Sequence, residues 1–315
     1  MNAYELAAMR RAIAISAQGL GSTSPNPPVG CVILDSDGRT VGEGYHVRKG
    51  ESHAEVNALA AAGERAEGGT AVVTLEPCNH YGRTPPCREA LIDAKVTKVL
   101  IAVMDPTSRG EGGAELLRKA GIEVQQGCLE DEALLVLGPW RASLKDDRPF
   151  ITWIYEASAD GNPDASLTQG VALEEMNSLR ESYDLVIGQG GIEEGRPGSH
   201  GNGVFQLPHG SLTGDPAETI RVLRDTRARS ILLSGAIDEM SPITSTGLVD
   251  QVIAYLPKTP YSWSPNADST RTMAVPDGFQ LTEVTRRAAH VRLVGRRTVP
   301  PPVPLGRPGR APSCS

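Results

Sequence analysis

Four residues in this chain have the types and spacing for a defined chemistry: His53, Glu55, Cys78 and Cys87. An imidazole and two thiolates suit zinc in softness and charge, and three protein ligands leave a fourth tetrahedral position open. Zinc lowers the pKa of a water there to roughly 7, so a nucleophile is at hand at neutral pH. Glu55 stands two residues from His53, close enough to reach the same water without ligating the ion. A carboxylate so placed takes the water's proton and hands it to a leaving amine. Singly, each residue also suits an ordinary core, since Cys is among the most buried types. A structural zinc knuckle would add a fourth ligand, often in Cys-x-x-Cys pairs. It would also leave Glu55 without a task, which argues against a non-catalytic, zinc-stabilised partner protein.

The elements that must hold these residues follow from hydrophobic spacing. A helix is expected over 4–17, with Leu6, Met9, Ile13 and Ala17 on one face. Pro25-Asn26-Pro27-Pro28 stops it in a rigid turn. Strands over 29–34 and 40–45 flank the hairpin signal Asp37-Gly38. A helix over 51–62 carries His53 and Glu55 near its start. A strand over 70–75 leads straight to Pro77-Cys78, and Cys87 opens a helix reaching about residue 94. Strand, helix and strand follow at 96–103, 115–120 and 122–126. This alternation implies a largely parallel sheet covered on both faces. Both halves of the motif fall at strand-to-helix junctions, where open sheets place ligands.

A charged stretch ending in Pro149 marks a boundary, giving one domain over 1–145 and a second α/β domain over 148–296. Strands are expected there at 150–155, 184–188, 230–234 and 249–256, with helices at 173–181 and 216–224. Residues 297–315, dominated by Pro, Arg and Gly, read as a disordered tail.

The chain has 315 residues, room for two domains, and 39% hydrophobic against 22% charged residues suits a soluble globular protein. A net charge of −7 argues against a nucleic-acid partner, which demands basic patches. No apolar run approaches the ~18 residues that cross a bilayer, so no membrane partner is expected. The N-terminus has no signal-like apolar segment. Five scattered Cys fit a reducing cytoplasm better than a disulfide framework. Of these, Cys31 and Cys128 read as core residues, and Cys314 has no inferred role.

His-x-Glu followed by Pro-Cys and a second Cys is the signature of the zinc nucleobase deaminases. One departure stands out: the second Cys comes nine positions after the first, with residues 79–86 inserted. The text around the motif adds Pro25-Asn26-Pro27-Pro28-Val29-Gly30, Gly42-Glu43-Gly44-Tyr45-His46, His53-Ala54-Glu55-Val56 and Thr74-Leu75-Glu76-Pro77-Cys78. With the insert ending Gly82-Arg83-Thr84-Pro85-Pro86-Cys87, it closely resembles the deaminase domain of the bifunctional riboflavin-biosynthesis deaminase–reductase family, over about residues 5–145.

The resemblance implies a cytidine-deaminase-like three-layer domain followed by a dihydrofolate-reductase-like α/β domain. It implies zinc on His53, Cys78 and Cys87, with Glu55 as the proton shuttle. It implies deamination of a diaminopyrimidine ribotide made from GTP. Asn26 would meet the pyrimidine edge and the Ala54 backbone the departing amine. His46, His80 and Arg83 would meet the ribose-phosphate end; the family more often has Lys where Arg83 stands. Taken alone, Asn26 also suits a turn between prolines, His80 and Arg83 a solvated loop, and Asp105-Pro106 either a pocket wall or a turn. The alternative activities are a paralogous deaminase of a secondary pathway branching from riboflavin synthesis, towards an azapteridine or pyrimidine antibiotic, and a fully bifunctional deaminase–reductase using NADPH.

The second half resembles the family's reductase domain with its polar positions altered. Arg148-Pro149-Phe150-Ile151-Thr152 and Ser158-Ala159-Asp160-Gly161 match its opening, but Ile154 stands where the family has lysine. Ile187-Gly188-Gln189-Gly190-Gly191 is followed by Gly195-Arg196-Pro197, where the family has Asp-Asp-Pro. Ser234-Gly235-Ala236 replaces a Glu-Gly-Gly nucleotide loop, and Asp250-Gln251-Val252 replaces Asp-Glu-Leu. These changes argue against use of NADPH, and leave a homodimer through the C-terminal domain as the expected role.

Overall fold

A computed structural model describes residues 1–81, 85–157, 171–188, 191–200, 204–207, 215–235, 243–244, 246–257, 275–287 and 290–298. Residues 299–315 of the expected tail and the match at 158–161 lie outside the described residues, whereas Arg297 ends a strand and Thr298 bonds to Gly278. The chain forms two compact units, Met1–Arg141 and Ala142–Ala311.

The first unit begins with α1 (Ala3–Ser16), then β1 (Gly30–Leu34) and β2 (Thr40–Tyr45). It continues through α2 (Ala54–Ala62), β3 (Thr70–Leu75), α3 (Cys87–Asp93), β4 (Lys98–Val103), α4 (Gly112–Lys119) and β5 (Glu123–Gln125). A long helix, α5 (Glu130–Lys145), follows. The sheet runs β2-β1-β3-β4-β5. β1 is antiparallel to both β2 and β3, while β3–β4 and β4–β5 are parallel. The sheet is therefore mixed rather than largely parallel. The short turn at 35–39 can only return the chain antiparallel, and Asp35 fixes it by accepting from the backbone of Asp37 and Arg39.

Glycines let both helices lie close on the sheet. A Cβ on Gly30 would sit 2.1 Å from the carbonyl oxygen of Ala12 in α1. A Cβ on Gly44 would sit 2.4 Å from the Ala58 nitrogen, and one on Gly42 2.2 Å from the Ala58 oxygen, both in α2. Gly44 pairs with Cys31 and Gly42 with Ile33, so their faces coincide. Gly30 and Cys31 are consecutive and face opposite ways. α1 and α2 therefore cover opposite faces, which gives three layers. The buried stripe of α1 is Ala8, Met9, Ala12 and Ile15, rotated from the expected face: only Met9 of that set is fully buried, and Ala17 is exposed.

The second unit has β6 (Phe150–Glu156), α6 (Val171–Arg180), β7 (Leu185–Gly188) and β8 (Gly191–Glu194). It continues with α7 (Pro216–Asp225), β9 (Ser230–Ser234), β10 (Gln251–Pro257), β11 (Phe279–Arg287) and β12 (His290–Arg297). The order is β11-β12-β10-β6-β9-β7-β8. Its centre, β10-β6-β9-β7, is parallel, and both edges are antiparallel. Alternate residues of β6 serve two cores. Ile151, Trp153 and Tyr155 enter one, and Ile154 enters the other with Val186, Leu232, Ile253 and Tyr255. No described helix is long and apolar enough to cross a membrane.

Candidate active site

α2, the end of β3 and the start of α3 converge on one point. His53 is the N-cap residue of α2, in extended conformation, and Glu55 lies in the first turn. The loop before His53 is held by Asn57, whose Nδ2 donates to the carbonyls of Tyr45 (2.9 Å) and Ser52 (3.3 Å). Beyond β3 the chain passes Glu76 and Pro77 to Cys78. Glu76 is buried, and its carboxylate accepts from the backbone of Ala114 (3.0 Å) and Asp105 (3.3 Å). Gly113 lies so near Pro77 that a Cβ would come within 1.9 Å of the Pro77 oxygen. Cys87 opens α3, and its N–H donates to Cys78 Sγ at 3.2 Å.

His53 Nδ1 lies 3.2 Å from Cys87 Sγ and 3.6 Å from Cys78 Sγ. The three ligand atoms all lie within 4.8 Å of one another. Zinc bonds of about 2.0–2.3 Å imply tetrahedral edges of about 3.5–3.8 Å, so the cluster is close to the size the ion needs. The electrostatics agree. The hydrogen bond from Cys87 and then His53 pull the Cys78 thiol well below its ordinary pKa, against burial. The same bond, and then burial, push Cys87 up. Both thiols must give up their protons for a dication to bind. The bond to Cys78 raises the pKa of His53. Burial, and then the Cys78 sulfur, push Glu55 up to about 7.

His46 is buried, its ring 5.3 Å from that of His53. Its Nδ1 lies 3.1 Å from the Ser52 carbonyl, and its Nε2 lies 3.4 Å from Asn26 Nδ2. A ring that donates to Ser52 accepts from Asn26, and burial lowers its pKa, which favours that neutral form. The turn bearing Asn26 is tied to α5, where Trp140 Nε1 donates to the Pro25 carbonyl at 3.3 Å. Ala54 is fully buried at the start of α2. The structure thus brings Asn26, His46 and Ala54 to the His53, Glu55, Cys78 and Cys87 group. His80 is exposed on the insert with no polar partner among the described residues. Arg83 lies outside the described residues. The sequence reading gave no role to Glu76, Asn57 or Trp140. Glu76 stands inside the quoted motif, but nothing in its spacing announces a buried carboxylate capping two distant amides.

A cytidine-deaminase-like fold with a His-Cys-Cys zinc centre and an adjacent buried glutamate defines the zinc-dependent deaminase class. Residues 3–103 match the model of the cytidine and deoxycytidylate deaminase zinc-binding region. The chain is 48% identical to Escherichia coli RibD over 154 residues, which is 49% of this chain and 42% of that protein. It is 40% identical to Mycobacterium tuberculosis RibD over 226 residues, 69% of this chain and 64% of that protein. The matches thus span less than two thirds of these curated relatives. The solved structure of Acinetobacter baumannii RibD is 30% identical with a TM-score of 0.73, covering 94% of this chain and 99% of that one. A Thermotoga maritima diaminohydroxyphosphoribosylaminopyrimidine deaminase/5-amino-6-(5-phosphoribosylamino)uracil reductase matches at 25% identity and a TM-score of 0.74, covering 93% and 99%. The chain belongs to the RibD family of riboflavin-biosynthesis deaminase–reductases.

Proposed function

We propose that the first unit hydrolytically deaminates a diaminopyrimidine ribose-phosphate derived from GTP. The observation that carries this is Glu55, only 3% exposed, set beside the His53, Cys78 and Cys87 cluster. Those three residues would hold zinc, which supplies a Lewis acid that acidifies water. Glu55 takes the proton of the attacking water on a carboxylate oxygen and returns it to the departing amine, so ammonia leaves neutral. The Ala54 backbone meets that amine and Asn26 the pyrimidine edge. His46 holds Asn26 rather than meeting the phosphate, because both ring nitrogens face this chain's own groups and burial disfavours its charged form. The phosphate falls to the 79–86 insert, to His80 and Arg83; a guanidinium grips phosphate in bidentate fashion.

The second unit serves as a scaffold and transfers no hydride. Ile154 is fully buried among Val186, Leu232, Ile253 and Tyr255, so its own side chain offers no charge where the family has lysine. At Ser234-Gly235, the Gly235 carbonyl is taken by Trp153 Nε1 at 3.1 Å. One incubation tests both halves: purified protein, the ribotide and NADPH, followed for ammonia and for NADPH absorbance. Ammonia release with constant absorbance is expected, and the dephosphorylated nucleoside should be a much poorer substrate. No ammonia sinks the deaminase reading, NADPH oxidation sinks the scaffold reading, and equal use of the nucleoside sinks the phosphate reading.

The scaffold's product is a homodimer. Among the described residues β11 is an edge strand paired with β12 alone, and it exposes Leu281 (45%) and Val284 (58%). Such an edge offers unpaired backbone groups to a second copy. Sedimentation should give twice the chain mass, and Leu281→Lys with Val284→Lys should give monomers. A monomeric wild type at all concentrations would remove the dimer.

A further inference from the structure

We infer that Arg88 is a positioning residue for the phosphate end of the substrate, bracing the chain on both sides of His80. The inference rests on the assignment of the phosphate to the insert. Arg88 follows Cys87 directly in α3, and its side chain is 20% exposed. Its Nε donates to Asn79 Oδ1 at 2.7 Å, and its Nη2 donates to Glu89 Oε1 at 3.0 Å. The same Glu89 oxygen accepts from the Tyr81 hydroxyl at 2.6 Å. From the other side, Asn79 Nδ2 donates to the Arg109 carbonyl at 3.1 Å. Both neighbours of His80 are therefore tied to α3, and Asn79 also to the loop before α4. His80 itself is exposed and has no polar partner among the described residues.

Two features make this a device for binding rather than packing. Tyr81 is 71% exposed, so its ring gains little from burial; its hydroxyl serves as the tether. The planar guanidinium offers donors in a fixed fork, and a lysine ammonium cannot reproduce that geometry. A loop ordered before the ligand arrives spares the entropy of ordering it on binding, and so contributes to affinity rather than to the chemical step. The brace should therefore appear in KM for the phosphorylated substrate and not in kcat or in zinc content.

The test uses the full-length protein as Arg88→Ala and Arg88→Lys. Each variant should raise KM for the ribotide roughly tenfold, about 1.4 kcal/mol. Meanwhile kcat should stay within about twofold of wild type, since only binding common to ground and transition states is lost. Zinc by metal analysis should be unchanged, as should kcat/KM for the dephosphorylated nucleoside. In a His80→Ala background, Arg88→Ala should add little, because the two act through one contact. Equal losses on ribotide and nucleoside, or full additivity with His80→Ala, would overturn the inference, as would rescue by lysine. If Arg88→Ala loses zinc, Tyr81→Phe decides: it removes one exposed hydroxyl, and an unchanged KM overturns the brace. A wild type indifferent to the phosphate takes down the phosphate assignment and this inference with it. A wild type that prefers the ribotide, with KM unmoved in Arg88→Ala, takes down this inference alone.

Discussion

Glu55→Gln is expected to keep zinc and fold while losing deamination by at least roughly 10²–10⁴-fold, the usual range for removing a general acid–base. Glu55 is 3% exposed, so a replacement must match its volume, and the amide nearly does. Burial and the Cys78 sulfur both disfavour a charge at that position. The neutral amide therefore brings no new desolvation penalty. What it lacks is an oxygen that can take a proton and give it back. Cys87→Ala gives the contrasting signature, because it removes a sulfur 3.2 Å from His53 Nδ1 and should lose the metal along with the activity. Metal analysis beside turnover separates the two variants. Turnover by Glu55→Gln within about tenfold of wild type would end the assignment of Glu55 as the proton shuttle. Equal zinc in wild type and Cys87→Ala would remove Cys87 from the site.

The metal cluster is legible in the sequence because each ligand sits where an element begins or ends. His53 caps α2, Cys78 follows β3 and Cys87 starts α3, so hydrophobic periodicity alone brackets all three. The residues that hold the cluster are not legible. Glu76 reaches Ala114, thirty-eight positions away, and Trp140 reaches Pro25 from a hundred and fifteen, and no local pattern encodes such pairings. The same limit applies to the elements. β9 is found at its expected bounds, since five residues rich in Ile and Leu end at Ser234-Gly235. α5 is missed because Gly138-Pro139 interrupts its pattern, although tertiary contacts carry the helix through the proline. β11 is missed because a bulge between Leu281 and Glu283 breaks its apolar alternation, and β12 because its alternation fails at Leu293-Val294-Gly295. Mixed sheet polarity also hides in the periodicity, which reports burial and not direction. The turn at 35–39 was the available signal, and it fixes only one of the two antiparallel pairings of β1.

Asp250→Ala is expected to destabilise the second unit by about 3–5 kcal/mol, the cost of leaving one member of a buried ion pair alone. Arg148 Nη1 and Nη2 donate to the two Asp250 oxygens at 2.7 and 2.6 Å, a bidentate fork. The side chains are 3% and 11% exposed, so solvent would do little to replace the lost partner. Asp250 also accepts from the Ile151 N–H at 2.8 Å, and its backbone bonds to Ile151 and Arg297. The carboxylate therefore ties Arg148 and the start of β6 to the start of β10, while the Asp250 backbone carbonyl holds the end of β12. Arg148 additionally donates to the Pro149 carbonyl at 2.9 Å, which fixes the entry into β6. Removing the carboxylate leaves the buried guanidinium with the Pro149 carbonyl and a more distant Asp146 at 3.9 Å, and strands the Ile151 amide donor. For a unit of this size the loss should lower Tm by roughly 6–20 °C. Replacing both partners, as Arg148→Met with Asp250→Leu, should recover part of that loss, because no charge is then left buried. Thermal unfolding of the full chain, read by tryptophan fluorescence, checks this through Trp153 in the adjacent core. A melting curve for Asp250→Ala that overlays the wild type would show that the fork contributes nothing. A double variant melting below Asp250→Ala would show that the lost contacts, and not the stranded charge, set the cost.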